Sequence, residues 1–405
     1  MQLRHGTEPC HPPHKPRTNN RSSHADPDQL TGENYPYRRL EHENSIRLLL
    51  ITPGSGEEAT YTLLHAELDN IPYKALSYEW GLPSDDDPNI IIDGHSVRIR
   101  KNLSEALKQI SSVIHYLGFL FLWIDALCIN QSDNAEKNNQ VLKMGQIFSE
   151  ADQVFAWTGS EANDSDCAMD ILYSISTASP SDSISMVKAL KENYRAREAI
   201  LTLCNRSYWK RIWTLQERVL AKDLVFMCGS KSIAERQLYE CLPLIIAAEE
   251  SLRTKYTDFL GISLYDTAGY RQICASFWRI DKKLNDWLQV CAECDLLATD
   301  PRDYVYALLS ISTDVRSGIL SVIPDYDKPT RTLFQEIYNA MRDIYGADYS
   351  ITYRRDIWNA PLNKWLNKNF GFDEAVLSSS RTSKSLHGKS RRKIPSSGSK
   401  RRRHD

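Results

Sequence analysis

The stretch FLFLWIDALCINQSDNAEKNNQVLKMGQIFSEADQVFAWTG, residues 119–159, decides the fold. It reads as strand, polar loop, helix and strand. Residues Phe119 to Ile129 are nearly all apolar and rich in aromatic and branched types, which suits a strand buried on both faces. The run stops at Asn130, Gln131, Ser132 and Asp133. Asp133 and Glu136 can close a helix N-terminus, each satisfying backbone donors near the other. Val141, Met144, Ile147, Phe148 and Ala151 then recur at helical spacing. A second apolar run, Val154 to Trp157, ends at Thr158 and Gly159. The pattern predicts a βαβ unit, with parallel strands and a right-handed crossover.

One residue violates the pattern. Asp125 sits inside the apolar run, where an unpaired charge is expensive to bury. It needs a partner or a cleft. Cys128, Asn130 and Gln131 follow at the predicted carboxyl end of the strand, the edge at which open α/β sheets bind ligands.

Working outward, the 405-residue chain is 41% apolar, enough for a full core and two or three domains. Its net charge of −2 is unevenly spread: residues 376–405 carry ten of the 50 Lys and Arg but one of the 52 acids. The body is therefore acidic and the tail basic. No apolar run is long enough to span a bilayer, and Met1–Leu30 lacks the apolar core of a secretory signal. Nine scattered cysteines without framework spacing favour reduced thiols in an intracellular setting. Cys291 and Cys294 make a lone CxxC, and Asp85 to Asp87 an acidic run without alternating ligand spacing. Neither predicts a metal site.

Residues 1–34 read as disordered, rich in proline and polar types. Ile46–Ile51 reads as a strand and Tyr61–Leu68 as a second strand that pairs back with it, with Pro53 to Gly56 as the turn after the first. Tyr73, Ala75 and Leu76 fit a third strand, ended by Gly81, which places Ser77, Tyr78, Glu79 and Trp80 at its carboxyl end. Ile90–Ile99 reads as a hairpin turning at Asp93-Gly94. Asn102 with Glu105 reads as a helix start, followed by an apolar stripe from Leu103 to Ile114. Residues 160–205 are mainly helical in pattern. Tyr208 to Leu220 reads as one helix, with Trp209, Trp213, Gln216 and Glu217 on one face, and Leu224–Gly229 as a strand. From 231 to 375 the pattern is mostly helical. The expectation is an α/β domain over 35–230 with a mainly parallel sheet flanked by helices, a mostly helical region over 231–375, and a basic tail over 376–405.

Three blocks carry a family resemblance: Ala75 to Gly81, Leu122 to Asp133, and Arg206 to Glu217. In content, order and spacing they resemble the fungal heterokaryon-incompatibility (HET) domain, over about residues 73–218. Segments Asp300–Leu309 and Pro324–Tyr326 resemble stretches that often follow it. The resemblance implies an intracellular fungal protein of self/non-self recognition, linked to programmed cell death. It also implies a sheet like that of Toll/interleukin-receptor (TIR) domains, some of which cleave NAD with a glutamate. No TIR motif aligns residue by residue, so that glutamate cannot be transferred. The chain departs from the family at Glu79, where an apolar or small residue is common, and at Lys137, where arginine is.

Candidate site residues then weigh as follows. Asp125 is either an anchor for loop 128–133 or a ligand-binding or catalytic carboxylate. Cys128 as nucleophile would need a base to form the thiolate, and His95 and His115, the nearest in sequence, lie outside the blocks; a packed thiol is the plainer reading. Glu217 and Glu79 are candidate acids for cleavage at a nicotinamide ribose, or else surface and capping acids. Trp80, Trp123, Trp209 and Trp213 could stack on a base, or simply pack. Ser77, Tyr78, Gly81, Asn130, Gln131, Asp133 and Gln216 complete the motif set. Two readings of function stay open: assembly or partner binding, and a TIR-like NAD-cleaving enzyme formed by assembly, with NAD as substrate and no established cofactor. The expected location is cytoplasmic, with nuclear entry or nucleic-acid contact only through the tail, 381–405.

Overall fold

A computed structural model describes residues 35–54, 58–190, 192–253, 267–277 and 282–345. The expected N-terminal disordered segment and the basic tail lie outside the described residues. Nine strands form one sheet: β1 (Ser45–Pro53), β2 (Ala59–Glu67), β3 (Lys74–Tyr78), β4 (Asn89–Ile92), β5 (His95–Arg98), β6 (Leu120–Trp123), β7 (Gln153–Trp157), β8 (Leu224–Cys228) and β9 (Lys231–Ala234), in the order β5-β4-β2-β1-β6-β3-β7-β8-β9.

The fold is α/β, but the sheet is mixed rather than mainly parallel. The β6-β3-β7-β8 core pairs in parallel, as does β2 with β4. The pairs β1-β2, β1-β6, β4-β5 and β8-β9 are antiparallel. Connection length explains the three of these that are hairpins. Strands joined through a helix can run parallel, whereas strands joined by a tight turn must reverse. Asp93 and Gly94, at φ 50° and 78°, make the turn between β4 and β5, as their sequence predicts.

The βαβ reading of 119–159 holds with two changes. The strand is only Leu120–Trp123, and Asp125–Cys128 forms a short helical turn, α2. Asp125 is thus the first residue of a turn, not a strand interior. Helix α3 (Asn134–Glu150) follows, but β6 and β7 are not neighbours; β3 lies between them. Asp133 caps α3, accepting from Ala135 and Glu136 amides at 3.0 and 3.1 Å. Glu136 does not return the contact. Its carboxylate takes the Asn130 amide at 2.8 Å and the buried Arg47 guanidinium at 2.5 and 2.9 Å. Arg47 also reaches the Cys128 carbonyl at 3.1 Å, so β1, α2 and α3 meet at one ion pair.

Helix α1 (Lys101–Leu117) starts without a side-chain cap. Asn102 is used elsewhere: its side chain donates to the Glu79 carbonyl at 2.6 Å and accepts from the Trp157 indole at 2.8 Å. The acidic run is not wholly solvated either, because Asp87 is buried against Arg100 at 3.1 Å.

Helices α4 (Ser165–Thr177), α5 (Pro180–Leu190) and α6 (Tyr194–Cys204) bear out the helical reading of 160–205. Beyond them the single helix expected over 208–220 is broken. A 3-10 turn covers Ser207–Lys210 and α7 covers Trp213–Val219. Arg211 between them is extended, at φ −72° and ψ 127°. Its neighbours pair with Leu297: the Leu297 amide donates to the Lys210 carbonyl at 2.6 Å, and the Ile212 amide to the Leu297 carbonyl at 3.0 Å. A stripe of Ile212, Leu215 and Val219 cannot announce a break imposed by a residue 86 positions away. Helices α8 (Glu235–Arg253), α9 (Ala268–Phe277), α10 (Leu284–Glu293), α11 (Asp303–Tyr306), α12 (Thr313–Arg316) and α13 (Thr330–Tyr345) complete the described chain.

The core runs through the central strands, where Ala75, Leu76, Leu122, Val154 and Ala156 are essentially inaccessible. Trp123, Trp157 and Tyr78 are among the largest fully buried side chains. Each such ring contributes roughly 2–3 kcal/mol by burial.

Candidate functional site

The strands β6, β3, β7 and β8 run the same way, so their carboxyl ends share one rim. On that rim the three sequence blocks meet around Arg211. Its Nη2 donates to Asp125 Oδ2 at 3.0 Å, and its Nη1 to the Tyr78 carbonyl at 2.5 Å. Glu217 Oε1 lies 3.6 Å from the same Nη1. The guanidinium carbon stands 5.8 Å from the Trp80 ring centroid. Trp80 donates its indole N–H to Asp125 Oδ2 at 2.9 Å.

Asp125 is therefore well partnered. Its second oxygen accepts the Ala126 amide at 2.8 Å, and its carbonyl accepts from the Gln131 side chain at 2.9 Å. Its backbone carbonyl thus holds the 128–133 loop through Gln131, while its carboxylate lies at the centre of the rim.

Glu217 differs. It is 1% exposed, and its Oε2 has no hydrogen-bond partner among the described residues. Burial pushes its carboxyl up to about 7; Arg211 opposes the rise and Asp125 adds to it. Two acids share one arginine, so holding a proton on Glu217 leaves the trio neutral. Ser77, fully buried on β3, exchanges a 3.0 Å hydrogen bond with Tyr208. Tyr78 and Gln216 are buried, with the Tyr78 hydroxyl and Gln216 Nε2 unpartnered among the described residues.

The remaining candidates are placed apart from this cluster. Glu79 turns to the Ser207 hydroxyl. Gly81 ends the segment after β3 at φ 78° with open space around it. Trp123 packs edge-on against Phe148 at 5.4 Å. Trp209 occupies the separate 3-10 turn, so it does not share a helical face with Trp213. Trp213 donates to Asp303 Oδ2 at 3.0 Å. Asn130 holds the loop through its amide to Glu136, and its side chain accepts from Ser132. Cys128 is fully buried, and burial drives its thiol up to about 12. His95 stands exposed beside Tyr35, while the thiol meets the Ile124 amide and the Leu122 carbonyl; the His115 side chain lies outside the described residues. A packed cysteine describes this site.

Arg211 is the residue that sequence reasoning missed, together with Asn102, Tyr208 and Asp303. An arginine inside an apparently regular helix carries no mark of its distant partners. Asp125 alone gave a signal, a buried acid that had to be answered by a cation. Among the described residues no cluster of metal-binding side chains occurs, and no helix is long and apolar enough to cross a membrane. A small cavity of about 20 Å³, lined by Trp209, Cys204, Phe226 and Leu242 among others, lies outside the acid cluster.

The fold and rim define an α/β protein whose three sequence blocks converge on one buried ion network. Residues 73–217 match the family "Heterokaryon incompatibility protein (HET)". It is 28% identical to "Heterokaryon incompatibility protein 6, OR allele" of Neurospora crassa, over 77% of this chain and 53% of that protein. The chain thus spans about half the length of the curated relative it matches. No solved structure matches, so the expected likeness to TIR domains gains no support.

Proposed function

We propose that this protein acts in fungal self/non-self recognition, triggering programmed cell death through self-association or a protein partner. The family match and the relative's name support the biological role. The observation that carries the mechanism is the saturation of Asp125. Its carboxylate meets donors from Trp80, Arg211 and Ala126, all within the chain. Such an acid organises the rim and is poorly placed to meet a substrate. The test expresses the full chain in a filamentous fungus and follows viability and NAD together. Death without NAD loss, unchanged in Glu217→Gln and Glu79→Gln variants, is the expected outcome. NAD loss preceding death would overturn it.

A second reading is favoured by one observation. Glu217 is a buried acid raised towards neutrality beside Arg211, as general acids commonly are. On this reading assembly opens the rim and Glu217 serves glycosidic cleavage of NAD. Glu217→Gln then abolishes both NAD loss and death, while Glu79→Gln retains them. Cytoplasmic location, with nuclear entry or nucleic-acid contact through the basic tail, is tested by deleting residues 381–405 and imaging the protein. Unchanged distribution removes that role for the tail.

A further inference from the structure

The matched region ends at residue 217, yet its last block is held from outside by residues further along the chain. Leu297 pairs with the backbone on both sides of Arg211 and keeps that residue extended. Six positions on, Asp303 takes the Trp213 indole N–H at 3.0 Å, and its other oxygen accepts the Tyr326 hydroxyl at 2.6 Å. Lys137 of α3 and Arg302 each lie 5.3 Å from the Tyr326 ring centroid. Arg211 and Trp213 are thus bracketed by one segment, residues 295–303, which runs from the end of α10 to the first residue of α11. Leu297 itself is 47% exposed.

The geometry matters because an arginine in helical continuation would project elsewhere. A helical residue at 211 follows the turn of the preceding residues, whereas the extended one sends its guanidinium to Asp125 and the Tyr78 carbonyl. The Arg211–Asp125 contact therefore depends on a strap that is not part of the three blocks.

We propose that residues 295–303 form a conformational strap that sets the motif rim: seated, with Leu297 on Lys210–Ile212 and Asp303 on Trp213, it holds Arg211 against Asp125; displaced, it releases Arg211 and loosens the rim. This deepens the rim reading by naming its control, and it takes from that reading only that the rim is the working site. The strap is suited to the task. Among the described residues, two backbone hydrogen bonds and one side-chain hydrogen bond join it to the rim, and its apolar Leu297 is accessible from outside while Leu296 beside it is buried. Local opening of so few contacts is within reach of thermal fluctuation or a competing partner.

The test is amide hydrogen exchange on the full chain, comparing Asp303→Asn, Tyr326→Phe and Trp287→Phe. Trp287 lies in α10, donates to the Ile311 carbonyl at 3.0 Å, and serves as a control for general damage to the same helical region. The strap predicts that Asp303→Asn speeds exchange about tenfold in 76–81 and 122–131 as well as in 206–219, the size expected for one buried charge-assisted hydrogen bond. Tyr326→Phe, which leaves Trp213 its acceptor, should give a smaller change in the same segments. Trp287→Phe should confine its effect to 284–316. If Asp303→Asn and Tyr326→Phe alter only 295–345, or if Trp287→Phe loosens the rim equally, the strap is refuted. These outcomes do not depend on cell death, so the strap and the proposed function can fail separately.

Discussion

At the scale of single residues, the rim turns on how three charges are shared. Asp125→Ala removes the acceptor for Trp80 and Arg211 together and leaves the arginine without its nearest counter-charge. Arg211 keeps 18% side-chain exposure, so water offsets part of the loss. The expected destabilisation is about 2–3 kcal/mol, read from urea unfolding midpoints. A loss below about 0.5 kcal/mol would show the network to be dispensable. Glu217 yields a pH prediction. Its folded value of about 7 lies above the ordinary 4.5, so the folded state holds a proton that the unfolded chain releases. The resulting stabilisation is complete below pH 4.5 and is lost as pH rises through 7. The groups facing this carboxyl are Arg211, Asp125 and Ser77. Asp303, raised to about 6 by burial, adds a contribution of the same sign. Replacing Glu217 by Gln should flatten the stability–pH slope between pH 5 and 7 by on the order of 1–3 kcal/mol over that range. An unaltered slope in that variant would show that the carboxyl is ionised throughout.

Arg47 is the harder case at this scale. It is 1% exposed and paired with Glu136 at 2.5 Å. Removing only Glu136, as in Glu136→Ala, strands a buried cation and should cost about 3–5 kcal/mol. Replacing both partners by apolar residues of similar volume should cost much less, and a double-mutant cycle measures the difference.

At the scale of elements, close packing makes sharper demands than periodicity reveals. A Cβ at Gly145 of α3 would stand 2.3 Å from the Cβ of Ser310. Gly145→Ala should therefore cost about 1–3 kcal/mol in thermal unfolding. Gly81→Ala meets open space, and only its φ of 78° resists the change, so about 1 kcal/mol is expected. Equal effects from the two would contradict the packing of α3 against the turn at 309–311. The same elements show what the sequence could and could not reveal. Alternation and apolar runs located β1, β2, β3, β6, β7 and β8, and helical spacing located α1 and α3. Asp125 stood out because an acid in an apolar run is costly. Its partner Arg211 did not, since it lies 86 positions away in what reads as an unbroken helix. Arg47 and Glu136, 89 positions apart, were hidden for the same reason. Strand β9 and the mixed pairing of the sheet were also missed. Lys231–Ala234 is short and lacks the Asp-Gly turn that marks β4 and β5, and pairing direction depends on connections whose course only the fold reveals.

At the scale of the whole molecule, the sheet and helical region are tied through the third block. Besides Leu297 and Asp303, Gln272 of α9 donates to the Trp209 carbonyl and accepts from Arg218 at 2.6 Å. A shortened chain ending at residue 234 keeps all nine strands but loses every one of these contacts. It should bind a hydrophobic dye and show weakened near-ultraviolet circular dichroism from its tryptophans. A cooperative, dye-silent fragment would mean that the strands and the first seven helices suffice.

The position of β3 has a consequence for synthesis. It is made early, at residues 74–78, yet both of its neighbours, β6 and β7, are made later, and the strap that fixes Arg211 ends only at residue 303. At ordinary elongation rates roughly 10–45 s separate the emergence of β3 from that of Asp303. Until β6 emerges both edges of this apolar strand are vacant, and one stays vacant until β7 is complete, roughly 4–16 s after β3. A ribosome-associated chaperone would find its longest-lived target there, in the segment around Leu76.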